Sequence, residues 1–308
     1  MHIVLSEIAS LRHFVLLDPK GPIGADEKSI IILATLLMLI VVVPVIVMAI
    51  AFPWRYRASN TRATYAPNWS HSGRIEAVVW LVPCVIIAGL ATVTWISSHD
   101  LDPYKPIAPT VATASNGKPI EVQVVSLDWK WLFIYPSLNI ATVNELAFPA
   151  GTPVHFSLTS GTVMNSFFIP QLGSQIYTMA GMQTQLSLLA SEPGVYQGLS
   201  ANYSGGGFSD MTFQARAMTD GDFAAWVQKV RASQQTLTPS VYRSLEKPTE
   251  KAPVTYYSEV GPNVFHDALN KCADGAMCMD DAMKLSMASD ALGTNVGLCS
   301  VPQKKVID

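Results

Sequence analysis

The sequence predicts a membrane-anchored all-β protein: a transmembrane helical hairpin, an antiparallel sandwich or barrel, and helices towards the C-terminal end. Three observations carry this. Two long runs near the start hold no charged side chain. From Ile120 the chain breaks into short segments of alternating polarity, separated by Gly, Pro and Ser, the pattern of half-buried strands. After Arg216 the apolar spacing turns helical.

Composition agrees. Charged residues are 14% of the 308 and hydrophobic ones 49%, an apolar balance that points to a membrane. A net charge of −3 with no basic stripe excludes nucleic acid as a partner. The chain carries no nucleophile elbow, phosphate loop or zinc-protease motif.

The first residues, Met1 to Leu17, are apolar but interrupted by Glu7, Arg12 and His13. They lack the basic start, unbroken core and small-residue cleavage site of a secretory signal. Ser29 to Phe52 and Ala77 to Ile96 are the uncharged runs, each reaching the roughly 20 apolar residues that a bilayer requires. Pro44 and Pro83 predict bends that a neighbouring subunit accommodates. Trp80 and Trp95 suit the interfaces. The connecting loop carries Arg55, Arg57, Arg62 and Arg74, whereas Asp18, Asp26, Glu27, Asp100 and Asp102 flank the outer ends. The positive-inside rule puts that loop in the cytoplasm and both termini in the periplasm. Glu76, at the start of the second span, reads as an acid favoured by the helix dipole near Arg74.

Residues 1–28 therefore form a periplasmic N-terminal segment and 29–98 the hairpin. Residues 99–118 are a linker, its stretch Tyr104 to Ser115 rich in proline and small residues. Residues 119–218 are the β-domain, with strands expected at Ile120–Ser126, Pro153–Leu158, Gln185–Ala190, Val195–Ser200 and Thr212–Ala215. Residues 219–308 form a helical region and tail. Thr219 or Asp220 caps a helix through Val230 with Phe223, Trp226, Val227 and Val230 on one face, and a second helix spans Pro262 to Lys271. These helices are expected on the membrane complex or the barrel base. Cys84 lies in an apolar run; Cys272, Cys278 and Cys299 fall in the periplasm, where a disulfide is permitted. Three thiols leave one over, and the spacing selects no pairing.

One loop has the spacing of a metal site. A binuclear copper centre needs a histidine on an earlier strand and then Cys-x-Glu-x-Cys-x-x-x-His-x-x-Met, because soft thiolates and imidazoles hold the copper pair. Laid on Gly198 to Met211, the cysteine positions are Ser200 and Ser204, the glutamate position is Asn202 and the loop histidine is Phe208. Met211 is retained, and the earlier histidine falls on Asn165. One thioether does not hold copper, so these read as vacated ligand positions.

This loop, together with Leu17-Asp18-Pro19-Lys20-Gly21, Tyr56 to Asn60, Pro67 to Ser72, Asp128-Trp129-Lys130-Trp131, Ile140 to Glu145 and Asn165 to Thr184, resembles subunit II of the haem-copper quinol oxidases of the cytochrome bo type. The resemblance runs strongly from Leu17 to Arg216 and more loosely to about Lys271. It implies that the β-domain is a cupredoxin-like Greek-key barrel, which periodicity alone does not choose. It also implies an acylated cysteine just upstream of the Leu-Asp-Pro-Lys-Gly run, yet no cysteine precedes Asp18.

The function so implied is that of a non-catalytic, integral subunit of a proton-translocating ubiquinol oxidase in the bacterial inner membrane. Ubiquinol is the substrate of the complex; haems and the oxygen-reducing copper lie in the partner subunit I, alongside smaller membrane subunits. No cofactor and no catalytic residue are expected in this chain. The alternative is a membrane-anchored periplasmic binding module outside any oxidase. Cytochrome c is not expected as a partner: it is basic, and between Gly151 and Arg216 the only acids are Glu192 and Asp210. The aromatic run Trp129 to Tyr135 corresponds to a segment linked with electron entry in copper-bearing relatives; with no copper downstream, packing between barrel and catalytic subunit is expected. None of the histidines, His2, His13, His71, His99, His155 and His266, has a second ligand at metal spacing. Met277, Met279, Met283 and Met287 near Cys272 and Cys278 read as a poorly ordered tail rather than a copper(I) site.

Overall fold

The structure, a computed structural model, describes residues 15–64, 68–107 and 118–291. The N-terminal stretch up to Phe14, the linker from 108 to 117 and Cys299 lie outside the described residues. Helices α1 (Pro22–Arg55) and α2 (Gly73–Asp100) cover both apolar runs and extend past them. Both are long and apolar enough to cross a membrane, and their apolar windows are unburied within the chain. Pro44 and Pro83 lie inside helices that continue through them. Glu76 meets His71, with Nδ1 2.6 Å from Oε1, rather than the expected Arg74.

The helix α1 starts against the β-domain, and this explains the Asp-Pro-Lys-Gly run. Pro22 occupies the first turn, where its missing N–H costs nothing. Lys20 donates its backbone N–H to Gln171 O (2.7 Å) and accepts from Ser191 N (2.7 Å), while Gly24 N donates to Leu172 O (3.1 Å). A Cβ on Gly21 would lie 2.3 Å from Leu189 O, so only glycine lets the two backbones approach. Ser174 Oγ donates to Glu27 Oε1.

The β-domain is two sheets around one core. Its strands are β1 (Ile120–Leu127), β2 (Lys130–Tyr135), β3 (Ile140–Val143), β4 (Glu145–Pro149), β5 (Val154–Ser160), β6 (Asn165–Ile169), β7 (Gly173–Thr178), β8 (Thr184–Leu188), β9 (Gly194–Ser200) and β10 (Thr212–Met218). Further on come β11 (Thr236–Leu237), β12 (Thr255–Tyr257) and β13 (Glu259–Val260). One sheet is ordered β12-β3-β2-β1-β5-β8 and the other β4-β10-β9-β6-β7. Trp131, Phe133, Phe156, Phe167 and Phe213 meet between them, with Phe167 stacked on Phe213 at 5.1 Å. This is the cupredoxin-like architecture expected from the resemblance.

The expected strands are all present, but β2 carries no readable alternation because every residue in it is buried. The reason lies in the C-terminal arm. Helices α3 (Asp220–Arg231), α4 (Pro239–Leu245), α5 (Val264–Leu269) and α6 (Met279–Ala291) follow the barrel. Leu237, Tyr242, Tyr257, Val264 and Ala268 of this arm form a second core with Val125, Leu127, Leu132 and Ile134 on the outer face of the same sheet. A strand covered on both faces reads as a continuous apolar run. From Lys130 to Tyr135 the run is thus interior to this chain, with Trp129 half-buried, which corrects its expected place against a catalytic subunit. The arm is also not only helical, since β12 extends the barrel sheet beside β3. Helix α3 is capped as expected, Thr219 Oγ1 accepting from Asp222 N (3.2 Å), and it packs on the barrel.

Candidate functional site

Three strands place the loop. Asn165 opens β6, Ser200 closes β9 and Met211 precedes β10, and these strands are neighbours in one sheet. Two residues beyond Asn165 and Met211, Phe167 and Phe213 enter the aromatic core. The loop ends are thereby held by the best-packed part of the molecule.

The polar side chains of Asn165, Ser200 and Asn202 bond one another or the local backbone. Ser200 Oγ donates to Asn165 Oδ1 (3.2 Å), and Asn165 is 1% exposed. Asn165 Nδ2 donates to Val163 O (3.2 Å), and Asn202 Nδ2 to Met164 O (3.1 Å). Ser200 N donates to Met211 O (3.1 Å), closing the loop on its buried methionine. Tyr203 and Phe208 pack edge to face at 5.6 Å. Trp129, left-handed at φ 61°, covers the loop: its Nε1 donates to Ser204 O (3.2 Å). A Cβ on Gly207 would lie 2.4 Å from the Trp129 ring, so the indole requires glycine there. Ser204 Oγ is buried with no hydrogen-bond partner among the described residues.

The hydrogen bonds join Asn165, Ser200, Asn202 and Met211, while Ser204 and Phe208 are held in the same loop by Trp129 and Tyr203. Amide and hydroxyl oxygens are hard donors, and Met211 supplies the set's only sulfur. Such a set does not fit a copper pair.

Residues 120–218 match the family described as Cytochrome C oxidase subunit II, periplasmic domain, and residues 231–276 match the COX Aromatic Rich Motif. The chain is similar to cytochrome bo(3) ubiquinol oxidase subunit 2 of Pseudomonas aeruginosa, with 61% identity over 83% of this chain and 76% of that one. It belongs to the ubiquinol oxidase subunit 2 family. The protein of the same name from Pseudomonas putida is 53% identical over 84% of this chain and 81% of its own length. Ubiquinol oxidase subunit 2 of Acetobacter aceti is 54% identical over 86% and 84%.

Two features of this family member escaped the sequence reading. The first is Glu145, buried on β4. Its Oε1 accepts from Trp226 Nε1 (2.7 Å) and Tyr256 OH (2.8 Å), and Arg216 Nη1 lies 3.4 Å from Oε2. One carboxylate thus joins the barrel to α3 and β12, through partners 71 to 111 residues away in sequence. The second is His266, which does have neighbours of ligand type. His266, Asp267, Cys272 and Cys278 lie together, and Cys272 is disulfide-bonded to Cys278. The spacing His-Asp-x4-Cys-x5-Cys was a legible signal. Met279 and Met283 lie on helix α6, which corrects the expectation of a poorly ordered tail there.

Proposed function

We propose that this chain is the non-catalytic second subunit of a proton-translocating ubiquinol oxidase, embedded in the bacterial inner membrane. In this reading the arginine-bearing loop is cytoplasmic and the barrel periplasmic. The haems and the oxygen-reducing copper belong to subunit I, which this chain stabilises and caps, and smaller membrane subunits complete the complex. Ubiquinol arrives through the lipid, so no water-facing copper relay is needed.

The observation that carries this is the loop itself. At the spacing of a copper loop this chain carries Asn165, Ser200, Asn202, Ser204 and Phe208, of which the first three bond one another or the backbone, and the set does not suit a copper pair. The exclusion of cytochrome c is supported by the segment from Gly151 to Arg216, whose only acids are Glu192 and Asp210.

The test is oxygen uptake by the complex isolated through a tag on this chain, supplied with ubiquinol or reduced cytochrome c, with the haem spectrum recorded on the same sample. Haem with uptake from ubiquinol alone is expected. Uptake from cytochrome c, or an intact sample without haem, would overturn the reading. A second measurement addresses the register. Asn165→His, Ser200→Cys, Asn202→Glu, Ser204→Cys and Phe208→His together should give a purple copper absorption; a folded, colourless variant would mean these are not the vacated positions.

A further inference from the structure

The arm contains a cluster that neither the loop nor the hairpin uses. Helix α5 carries His266 and Asp267, and the chain then turns through Gly275, at φ 85°, to bring Cys278 to Cys272. One ligand atom from each of His266, Asp267, Cys272 and Cys278 falls within a sphere of mutual separations no larger than 4.8 Å. His266 faces two carboxylates: Nδ1 lies 3.5 Å from Asp267 Oδ1, and Nε2 lies 3.4 Å from Asp280 Oδ2. The other oxygen of Asp280 is buried with no hydrogen-bond partner among the described residues. A disulfide that merely staples a short turn requires neither an imidazole nor carboxylates around its sulfurs.

Backbone hydrogen bonds hold these groups alongside the sulfur–sulfur bond. Cys272 N donates to Asp267 O, Gly275 N to Cys272 O and Met279 N to Asn270 O, each at 3.0 Å. Tetrahedral zinc with bonds of about 2.0–2.3 Å places its ligand atoms about 3.3–3.8 Å apart. The cluster meets that spacing once the sulfurs separate and the set contracts by roughly 1 Å.

We propose that two-electron reduction of Cys272–Cys278 converts this cluster into a Zn²⁺ site, with Cys272, Cys278, His266 and Asp267 as ligands. A dithiol reductant supplies two electrons and two protons, becomes a disulfide itself, and leaves two thiols on the protein. Zinc then displaces the two thiol protons to solvent. Nδ1 of His266 meets the metal while Nε2–H donates to Asp280, the carboxylate–histidine arrangement that orients a zinc-bound imidazole. A disulfide oxidant that accepts the two electrons, and is itself reduced to a dithiol, expels the metal and restores the Cys272–Cys278 bond, so the arm carries a thiol-gated site.

The experiment uses the intact complex, with Cys84→Ser and Cys299→Ser in every sample to remove the other thiols. Oxidised and dithiol-reduced samples are freed of reductant and dialysed against Zn²⁺, and bound metal is counted; Co²⁺ replaces zinc in a parallel set. One additional Zn²⁺ per complex is expected on reduction, with a cobalt–thiolate charge-transfer band. Cys272→Ser and Cys278→Ser should abolish both signals, and His266→Ala should weaken binding by at least about tenfold. No gain on reduction, or an equal gain in the double cysteine variant, would overturn the site and leave a structural staple. Oxygen uptake on the same samples verifies that each variant is assembled, and it reports on the oxidase reading separately.

Discussion

Tyr135 shows how one enclosed side chain couples the barrel to pH. Its hydroxyl donates to Ala147 O and accepts from Ala147 N, both at 2.9 Å, bridging β2 and β4 inside the core. Burial pushes the phenol well above its ordinary 10.0, and nearby Glu145 adds to this against the hydrogen bond to Ala147. A folded-state pKa raised above the unfolded one stabilises fully below the unfolded value, and that contribution is lost as pH climbs past it. Stability should therefore fall as pH rises beyond about 10, and Tyr135→Phe should flatten that fall. At neutral pH the same variant leaves both Ala147 groups unpaired and should cost about 1–3 kcal/mol. Urea midpoints measured across the alkaline range for both proteins check the two effects; parallel slopes would contradict the first.

At the scale of elements, Glu145 is the point where barrel and arm meet. Its neighbours add to the join, with Asn144 Nδ2 donating to Ala252 O and Lys130 Nζ to Lys247 O, each at 2.8 Å. Removing the carboxylate leaves the buried Trp226 donor and the half-buried Tyr256 hydroxyl without their acceptor. Glu145→Ala should cost about 2–4 kcal/mol. The damage should be local first, because beyond α3 the arm packs on the outer face of the sheet in a core of its own. Limited proteolysis is expected to cut between Arg231 and Tyr256 in the variant before the barrel is touched. Simultaneous loss of arm and barrel would show that the two unfold as one unit. The indole that grips Glu145 lies on α3, which the sequence indicates, the phenol on β12, which it does not, and nothing local names their partner. A buried carboxylate on a strand looks like any solvent-facing acid until the strand's other face is covered.

For the molecule as a whole, the decisive contact is between helix α1 and the β-domain. Gly21 sits so close to Leu189 O that a methyl group does not fit, at 2.3 Å. Gly21→Ala should push the start of α1 off the barrel and weaken the bonds from Lys20 to Gln171 and Ser191. Hydrogen exchange at the Lys20, Gly24 and Ser191 amides should speed at least about tenfold, the equivalent of 1.4 kcal/mol. Unchanged exchange at all three would show that the hairpin is held by other contacts. The apolar surfaces of α1 and α2, unburied within this chain, are where lipid and neighbouring subunits act.

Much of this was legible in the chain itself. Uncharged runs of bilayer length, period-two alternation and the Thr219 cap are local signals, because a helix or half-buried strand writes its environment at its own repeat. The spacing from Asn165 to Met211 was legible for the same reason, since a loop's register is a property of consecutive residues. Other features depend on residues far apart in sequence, and there the chain alone was mute or misleading. Burial of β2 on both faces erased its alternation, and the arm's second core placed the aromatic run inside rather than against a partner. The grip of Glu145 likewise arises only when distant segments fold together, whereas His266, Cys272 and Cys278 are near in sequence and their spacing was readable. Periodicity records which side of an element is covered, but what covers it is chosen by packing and by the pairing of buried polar groups.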